Sequence, residues 1–433
     1  MNMMNVNIGL LGCGTVGAGV IELMRRRTHK ISDLTGLTPV ITTVLVRDLE
    51  KPREVSLEQE RLTKRPQDIL EDESIRIVIE TIGGIEPART FILAALQAGK
   101  HVITANKDLI ALHGVEILDA AAKAQVDVFY EAAVGGAIPL IRPLKESLTA
   151  NDITDIKGIV NGTTNFILSK MTTTGADFEE VLKEAQDLGY AESDPSSDVD
   201  GLDAARKLAI LASIAFHTRV HLSDVQVDGI RNISAVDVAY AHELGAVIKL
   251  LAIGADRDGE LTLRVRPTLI PKGHPLAHVS DAYNALFVRG DASGDLMFFG
   301  RGAGSLPTAS SVVADAIEAL RNISISISGR IGSMYLGQKP VTQNLQDPVR
   351  HYIRLSAADR PGVFAQIAGI FGDASVSMET VLQKRTSERG ADIVIVTHEV
   401  PTQVLDAAIN RLRESPSVLS IHSVMPVERE EQA

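Results

Sequence analysis

An apolar segment that runs into a glycine-spaced turn and then into a helix is the feature that most constrains how this chain folds. Residues 6–11 are mostly apolar, and Gly12, Gly14 and Gly17 follow with the spacing GxGxxG before a helical pattern begins. In such a turn the first glycine allows a tight bend, the second lets the backbone approach phosphates, and the third lets the helix pack on the strand. Because a helix N-terminus attracts anions, the turn is predicted to bind the pyrophosphate of a dinucleotide. An ordinary glycine-rich strand–helix turn is the alternative.

The composition excludes several classes of protein. With 433 residues the chain is long enough for two or three domains, and a hydrophobic fraction of 45% suits large buried cores. A net charge of −12 argues against nucleic acid or an anionic membrane surface as a partner. No apolar run is long enough to cross a bilayer, the N-terminus does not resemble a signal peptide, and a single cysteine excludes an internal disulfide. We therefore expect a cytoplasmic protein.

Strand-like and helical segments alternate over the first part of the chain. The predicted strands after the glycine turn are residues 40–46, 75–80, 101–104 and 126–130, and the predicted helices between them include 88–98 and 110–124. Such alternation predicts an α/β domain with a Rossmann-type, doubly wound parallel sheet, here over residues 1–138.

The pattern changes after Pro139. Predicted strands at 153–160, 261–266 and 285–290, with helices at 178–188 and 203–216, indicate an α+β domain over residues 139–304. Residues 300–311 are rich in glycine, and a helix at 312–320 lies in a segment, about 305–335, that is predicted to return to the first domain. The tail, residues 350–427, has the order strand–helix–strand–strand–helix–strand, which is typical of a ferredoxin-like fold.

Charged residues follow two predicted strands at the edge where ligands of such sheets bind. Arg47 and Asp48 follow the second strand, and an arginine there favours the 2′-phosphate of NADP, although a solvated surface pair is equally consistent. Lys107 follows the predicted strand 101–104 and is a candidate contact for the cofactor or for a substrate carboxylate. A surface lysine that caps a turn is the alternative.

Two further segments combine carboxylates with glycines. Glu131 precedes a glycine-containing loop, residues 132–139, and one carboxylate with several main-chain carbonyls suits an alkali or alkaline-earth cation; a plain interdomain turn is the other interpretation. Asp203 and Lys207 are four residues apart, so they lie on one helix face. They form either a helical ion pair or an acid that binds an ammonium group beside a lysine that exchanges a proton with a carbonyl oxygen.

Together these motifs resemble homoserine dehydrogenase over nearly the whole chain. The residues that carry the resemblance are 12–17, Ala105-Asn106-Lys107, 131–139, Asn161-Gly162-Thr163-Thr164-Asn165, 189–207 and, in a tail similar to an ACT regulatory domain, Asp359-Arg360-Pro361-Gly362-Val363. The resemblance implies NAD- or NADP-dependent, reversible reduction of L-aspartate 4-semialdehyde to L-homoserine, a step toward threonine and methionine. It also implies that the middle domain binds substrate and forms a homodimer or homotetramer.

The resemblance assigns roles to single residues. Lys207 is implied to donate the proton to the carbonyl oxygen, with Lys107 as a second catalytic residue. Substrate would be bound by Glu192, Asp203, Thr163 and Asp198. The cofactor would be bound by Gly12, Gly14, Thr15, Val16, Gly17, Arg47, Lys107, Gly302 and Gly304. A structural sodium ion would be held by Glu131 and by the carbonyls of Val134, Gly136 and Ile138.

The chain departs from the family pattern at one position of the tail, and the position of its cysteine excludes one of two rival functions. ACT domains often carry an asparagine after their first helix, and residues 372–377 have none, so inhibition by threonine is left open. Aspartate-semialdehyde dehydrogenase needs a nucleophilic cysteine in its substrate site, whereas Cys13 lies in the phosphate loop. A catalytically inactive amino-acid sensor would be expected to have lost catalytic residues, yet Glu192, Asp203 and Lys207 are present.

Overall fold

The computed structural model describes residues 4–57, 60–329, 337–342, 348–387 and 390–429, and of residues 385–387 the backbone only. By its internal contacts the chain divides into two compact units. The first comprises Met1–Ile156, Arg206–Val225 and Asn284–Lys339, and the second Lys157–Ala205, Gln226–Tyr283 and Pro340–Ala433. Among the residues described, no helix has the length and apolar character needed to cross a membrane.

The helices and strands follow one another in three groups. The first group is β1 (Met4–Leu11), α1 (Thr15–Thr35), β2 (Leu37–Leu45), β3 (Arg61–Thr63), α2 (Gln67–Leu70), β4 (Ile75–Glu80), α3 (Ala88–Gln97), β5 (His101–Thr104), α4 (Lys107–Ala124) and β6 (Val128–Phe129). The second is β7 (Ile153–Ile159), α5 (Gly162–Thr174), α6 (Phe178–Asp187), α7 (Ser196–Val199), α8 (Leu202–Ala215), β8 (Gln226–Val227), α9 (Ala235–Glu243), β9 (Ala246–Arg257), β10 (Glu260–Pro271), β11 (Tyr283–Gly290), β12 (Gly294–Arg301) and α10 (Ser305–Ser324). The third is β13 (Pro348–Ala357), α11 (Val363–Asp373), β14 (Met378–Ser387), β15 (Gly390–Thr397), β16 (Val400–Pro401), α12 (Thr402–Glu414) and β17 (Val418–Val427).

The first unit contains a six-stranded parallel sheet in the order β3-β2-β1-β4-β5-β6. This is the strand order of a Rossmann fold, which confirms the predicted fold class. Successive residues of its strands point to opposite faces: Leu10 belongs to the core beneath α1, whereas Leu11 belongs to the core beneath α3 and α4. Both faces are therefore buried, as the nearly continuous apolar strands require.

The helix α10 completes one of these faces, because it packs against α1 and contributes Val312 and Leu320 to the same core. It begins at Ser305, so the expectation that the helix starts near residue 312 was wrong. Pro307 lies in its first turn, where the missing N–H of proline costs nothing. The last predicted residues of the returning segment, 330–335, lie outside the described residues.

The second unit is organised around strands in the order β9-β10-β17-β13-β15-β14. The last four, with α11 and α12, form the predicted ferredoxin-like arrangement, which is confirmed. One finding was not predicted: β17 also pairs in parallel with β10, where Leu269 lies opposite Val427. The sheet of the tail therefore continues into the β9–β10 hairpin.

A buried carboxylate holds α9 to the strands of the tail. Asp237 is fully buried and accepts hydrogen bonds from Arg354 Nε at 2.7 Å, Ser423 Oγ at 2.8 Å, Tyr352 Oη at 3.2 Å and Ser234 Oγ at 2.6 Å. Burial alone would raise the pKa of Asp237, but the hydrogen bonds from Arg354, Ser234 and Ser423 outweigh it and hold the pKa below its ordinary value. The hydrogen bonds to the ionised Asp237 carboxylate therefore stabilise the folded chain at neutral pH. This contribution is lost only in acid, as the pH falls through the lowered pKa of Asp237.

Replacing Asp237 by alanine is expected to lower the free energy of unfolding by about 3–5 kcal/mol, because Arg354 would remain buried without its partner. The measurement is urea-induced unfolding followed by circular dichroism. Asp228→Ala is the control, since the Asp228 side chain is 69% exposed and its substitution should change stability by less than about 0.5 kcal/mol. Equal unfolding midpoints for the two variants would contradict this account of the cluster.

Candidate functional site

The glycine turn between β1 and α1 has the geometry of a phosphate-binding loop. Gly12 has a φ of +98°, which favours glycine, and a Cβ at Gly17 would lie 2.5 Å from the Gly12 carbonyl oxygen. At Gly14, in contrast, a Cβ would meet no atom within 4 Å. Packing within the chain therefore does not require glycine at position 14, and the open space in front of the first N–H groups of α1 suits the approach of a phosphate.

A cleft of about 700 Å³ opens beside this turn. Of the predicted cofactor residues, Gly12, Gly14, Thr15 and Arg47 line it, whereas Val16 and Gly17 lie inside the first turn of α1. The cleft also contains three cations that the sequence analysis did not single out, Lys51, Arg53 and Lys64. Of the described residues, Asp48 and Glu54 are the acids on its wall, so among these residues cations outnumber acids and the cleft suits an anionic ligand.

The carboxyl ends of β4 and β5 are joined by a buried carboxylate. Glu80 ends β4, and its Oε1 accepts hydrogen bonds from the backbone N–H groups of Ile82 at 2.7 Å and Gly83 at 3.0 Å. Its Oε2 accepts a hydrogen bond from Thr104 Oγ1, at the end of β5, at 2.5 Å. Glu80 therefore fixes the turn beside the phosphate loop relative to the strand that precedes Lys107.

Lys107 is the first residue of α4, and the structure brings this helix end to the segment that carries Lys207. Asn106 caps α4, because its Oδ1 accepts from the Leu109 N–H at 3.1 Å. The next residue after Lys107, Asp108, forms an ion pair with Arg206 Nε at 3.1 Å. Since Arg206 directly precedes Lys207, the two predicted catalytic lysines lie on elements that are tied together by this ion pair.

Asn161 gathers the predicted substrate-binding acids in the second unit. Its Nδ2 donates hydrogen bonds to Asp198 Oδ1 at 2.7 Å and to Asp203 Oδ2 at 2.9 Å. Its Oδ1 accepts from the backbone N–H of Thr164 at 2.8 Å and thereby caps α5. Asp203 is 6% exposed. One amide thus orients two carboxylates, the second of them one helical turn before Lys207 on α8.

The remaining two predicted substrate residues differ in burial. Thr163 is buried and its Oγ1 donates a hydrogen bond to the Tyr190 carbonyl oxygen at 2.6 Å. Glu192 is exposed, and its carbonyl oxygen accepts a hydrogen bond from Gln186 Nε2 at 3.1 Å. The structure therefore brings Asp198, Asp203 and Thr163 around the N-terminus of α5, while the Glu192 side chain faces solvent.

Glu131 is buried and holds the loop of the predicted cation site. Its carboxylate accepts hydrogen bonds from the backbone N–H groups of Leu140 at 2.6 Å, Ile141 at 2.8 Å and Arg142 at 2.8 Å. The Gly136 carbonyl accepts a hydrogen bond from Ser311 Oγ at 2.6 Å. A carboxylate and a carbonyl each have further lone pairs, so these contacts leave acceptor capacity for a cation. The other two predicted ligands, Val134 and Ile138, are buried in the same loop.

A second carboxylate lies against Glu131. Asp315 of α10 accepts a hydrogen bond from the Glu131 N–H at 2.9 Å and another from Arg142 Nη2 at 3.0 Å. Burial and the neighbouring Glu131 carboxylate raise the pKa of Asp315 to about 7. Lys145, whose Nζ lies 4.2 Å from the centre of the Tyr130 ring, has its pKa lowered to about 8 by burial. The region thus combines two buried acids, Glu131 and Asp315, with two half-buried cations, Arg142 and Lys145.

Glycine is required at positions 302 and 304 for two different reasons. The backbone of Gly302 packs against Gly136, and a Cβ at Gly302 would overlap the Asn284 side chain at 1.5 Å. Gly304 precedes α10 with a φ of +124°, which a residue with a side chain rarely adopts. Neither glycine is among the residues that line the cleft beside β1.

Glu80, the cleft cations Lys51, Arg53 and Lys64, and the role of Asn161 as a bridge between acids were not predicted from the sequence. Glu80 ends a predicted strand, so its position at the ligand-binding edge of the sheet was a usable signal. Lys64 follows a three-residue strand, β3, that was not predicted. Asn161 precedes Asp198 by 37 positions and Asp203 by 42 positions, so no local sequence pattern predicts these hydrogen bonds.

Comparison with known proteins agrees with the three predicted parts of the chain. A family model described as "Homoserine dehydrogenase, NAD binding domain" matches residues 12–131, "Homoserine dehydrogenase" matches 139–317, and "ACT domain" matches 351–416. A homoserine dehydrogenase of Synechocystis is 48% identical over 98% of this chain and 100% of its own length. One of Bacillus subtilis is 42% identical over 98% of this chain and 99% of its own length.

Solved structures agree as well. A homoserine dehydrogenase from Thiobacillus denitrificans has a TM-score of 0.94 and 41% identity over 99% of each chain. A hyperthermophilic archaeal homoserine dehydrogenase, solved in complex with NADPH, has a TM-score of 0.62 and 26% identity over 73% of this chain and 98% of its own. The resemblance inferred from the motifs is thus confirmed. The chain belongs to the homoserine dehydrogenases and is an oxidoreductase.

Proposed function

We propose that the enzyme interconverts L-homoserine and L-aspartate 4-semialdehyde with NADP(H), with Lys207 as the group that exchanges the proton. The observation that carries this proposal is the pair of carboxylates held by Asn161, of which Asp203 lies one helical turn before Lys207 on α8. A buried carboxylate is suited to bind the α-ammonium group of homoserine. Lys207 lies on the same face of α8, four residues after the carboxylate that would bind the amino end of the substrate.

The chain's own residues supply orientation and the proton, whereas the nicotinamide cofactor supplies or accepts the hydride when it is bound. During reduction the aldehyde oxygen gains negative charge, and the Lys207 ammonium group donates a proton to it. During oxidation the Lys207 amine accepts the proton of the homoserine hydroxyl. Lys107 is proposed to contact both cofactor and substrate, because it begins α4 beside the ion pair that leads to Lys207.

The reaction is tested by following the absorbance of the reduced nicotinamide ring when homoserine is mixed with the enzyme and either NADP or NAD. Growth of the band with homoserine, and no growth with threonine in its place, is the expected result. No growth with either cofactor would favour a catalytically inactive amino-acid sensor.

The cations of the nucleotide cleft support NADP over NAD as the cofactor. Arg47, Lys51, Arg53 and Lys64 all line the cleft, and an arginine after the second strand can accept a 2′-phosphate. Arg53 donates to the carbonyl oxygens of Lys51 and Asp48 and so orders the loop that carries Arg47 and Lys51. The NADPH complex of the archaeal homoserine dehydrogenase supports the same choice.

Replacing Arg47 by alanine is expected to raise the KM for NADP about tenfold or more and to change the KM for NAD less than about twofold, because only NADP carries the 2′-phosphate. Initial rates with both cofactors measure the effect. Arg65→Ala is the matched control, since Arg65 is exposed and does not line the cleft. Equal changes for the two cofactors would show that Arg47 does not contact the 2′-phosphate.

The loop after Glu131 fits a structural sodium ion. Glu131 and the carbonyls of Val134, Gly136 and Ile138 would hold it, and a monovalent cation there would offset the repulsion between the Glu131 and Asp315 carboxylates. When bound, the ion supplies fixed positive charge and takes no part in the hydride or proton transfer.

An amino-acid effector and a homo-oligomer complete the proposal. The ACT domain is a candidate site for threonine, and rates measured with and without threonine test this role.

The strand β12 is an edge strand of its sheet and exposes Met297 and Phe299. It therefore suits pairing with a second copy in a homodimer, or in a homotetramer of two such pairs. Sedimentation equilibrium measures the assembly state.

A further inference from the structure

Lys249 is a buried lysine whose amino group is bound by neutral groups. It lies in β9, is 3% exposed, and donates hydrogen bonds to the Val279 carbonyl oxygen at 2.6 Å, Asn165 Oδ1 at 3.0 Å and Ser169 Oγ at 3.2 Å. Burial lowers the pKa of Lys249 to about 8, and the Asp281 carboxylate opposes this shift. Among the described residues the hydrogen-bond partners of Lys249 Nζ are amide, hydroxyl and carbonyl oxygens. Burying a charge against neutral groups is costly, which suggests that this lysine has a role beyond packing.

The first group that Lys249 holds is the side chain of Asn165, on α5. The Nδ2 of Asn165 donates to three carbonyl oxygens of one turn, those of Val279 at 3.1 Å, Asp281 at 2.9 Å and Tyr283 at 3.1 Å. The turn is strained enough to place Asp281 at a φ of +54°. Lys249 and Asn165 together therefore fix this turn at three carbonyl groups.

The 279–283 turn packs against the first residues of α5. A Cβ at Gly162 would lie 2.9 Å from the Ala282 carbonyl oxygen, so the turn and the first residue of the helix are in close contact. The backbone N–H of Asn165 also donates to the Asn161 carbonyl oxygen at 3.3 Å. Asn161 is the residue that orients Asp198 and Asp203, and Thr163 follows Gly162 directly.

We propose that Lys249 is a positioning residue of the substrate site, which acts through Asn165 and the 279–283 turn to hold the first turn of α5 and with it Asn161. The proposal rests on the proposed function in one respect, that Asp203 binds substrate. Lys249 itself touches neither substrate nor cofactor. Its loss should therefore change how well homoserine is held, while the nucleotide cleft of the other unit keeps its residues.

The experiment is steady-state kinetics of full-length Lys249→Met, with homoserine and NADP varied separately. We expect the KM for homoserine to rise about tenfold or more, with a smaller change in kcat and with the KM for NADP within about twofold of the parent value. Lys249→Arg, which keeps the donors, should recover part of the loss. The control is Arg354→Met, which removes another buried cation of the same unit and should lower stability without raising the KM for homoserine.

A second variant keeps the test decisive if Lys249→Met does not fold. Asn165→Asp keeps the shape and the acceptor for Lys249 but removes the Nδ2 amide group that donates to the turn, so it should also raise the KM for homoserine. Where both variants fold, their effects should be less than additive, because they act along one path.

Several results would overturn the proposal. They are an unchanged KM for homoserine in either variant, full additivity of the two changes, or an equal rise in Arg354→Met. If Asp203→Asn leaves the KM for homoserine unchanged, the assignment of the substrate site is wrong. If Asp203→Asn raises it and Lys249→Met does not, the site stands and the inference about Lys249 fails.

Discussion

Lys207→Ala is expected to lower kcat by about 10²- to 10⁴-fold while the Kd for NADPH changes less than about twofold. The reason is that the developing charge on the carbonyl oxygen would lose its proton donor. The residues that line the cleft beside β1, in contrast, all fall between Gly12 and Phe91, and Lys207 is not among them. Arg206, which holds Asp108 at the start of α4, is unchanged in this variant. The fold of the region should therefore survive.

The measurement pairs stopped-flow rates at saturating homoserine with fluorescence titration of bound NADPH. Lys183→Ala is the matched control, because Lys183 is an exposed lysine on α6 and should retain the parent rate. Lys207→Arg separates charge from proton transfer, since arginine keeps the charge but does not release a proton near neutral pH. A Lys207→Ala enzyme that turns over within threefold of the parent would remove Lys207 from the mechanism.

Asp203→Asn is the second large effect that we expect, a fall of about 10- to 150-fold in kcat/KM for homoserine. This corresponds to about 1.5–3 kcal/mol for the hydrogen bond of a charged group. The change keeps the size of the side chain but removes the negative charge that would bind the substrate ammonium group. It also places an amide opposite the Nδ2 of Asn161, so one hydrogen bond of the Asn161 bridge is lost or must be rearranged.

The control for Asp203→Asn is Asp200→Asn. Asp200 precedes the same helix, but it is 40% exposed and forms an ion pair with Arg231, so its substitution should change kcat/KM less than about twofold. Competitive inhibition by a homoserine analogue that lacks the amino group gives a second readout. Such an analogue should bind the parent and Asp203→Asn equally, and preferential loss of its binding in the variant would contradict the assigned role.

The fold was predictable where one physical cause dominates. Residues 75–80 and 101–104 form strands with the predicted limits, because each is a short apolar run that both faces of a parallel sheet bury. The strand β9 was not predicted, since its buried lysine interrupts an otherwise apolar segment and its residues do not alternate with a period of two. The start of α10 was placed too late, because the glycines before it and Pro307 within it indicate a turn when only neighbours in sequence are considered.

Spacing and position after strands predicted members of the candidate site but not their connections. The glycine turn, Lys107 and the acids around the start of α8 were proposed in this way, and their roles stay predictions. The cations that share the cleft with Arg47 were not predicted, because Lys51, Arg53 and Lys64 come from a loop and a short strand with no motif of their own. The ion pair between Arg206 and Asp108 joins residues 98 positions apart by their numbers, and local sequence contains no sign of it.

By itself the sequence determined the class of the protein: a Rossmann-type first domain, a ferredoxin-like tail, and a family. It could do so because the hydrophobic periodicity of strands and helices, glycine turns and motif spacing are local properties, which depend on residues close together in the sequence. Only the tertiary structure decided which side chains meet: Asn161 with two acids, Glu80 with Thr104, and Lys249 with Asn165. Those contacts depend on how buried polar groups distant in sequence satisfy one another once water is excluded, and that is settled by packing.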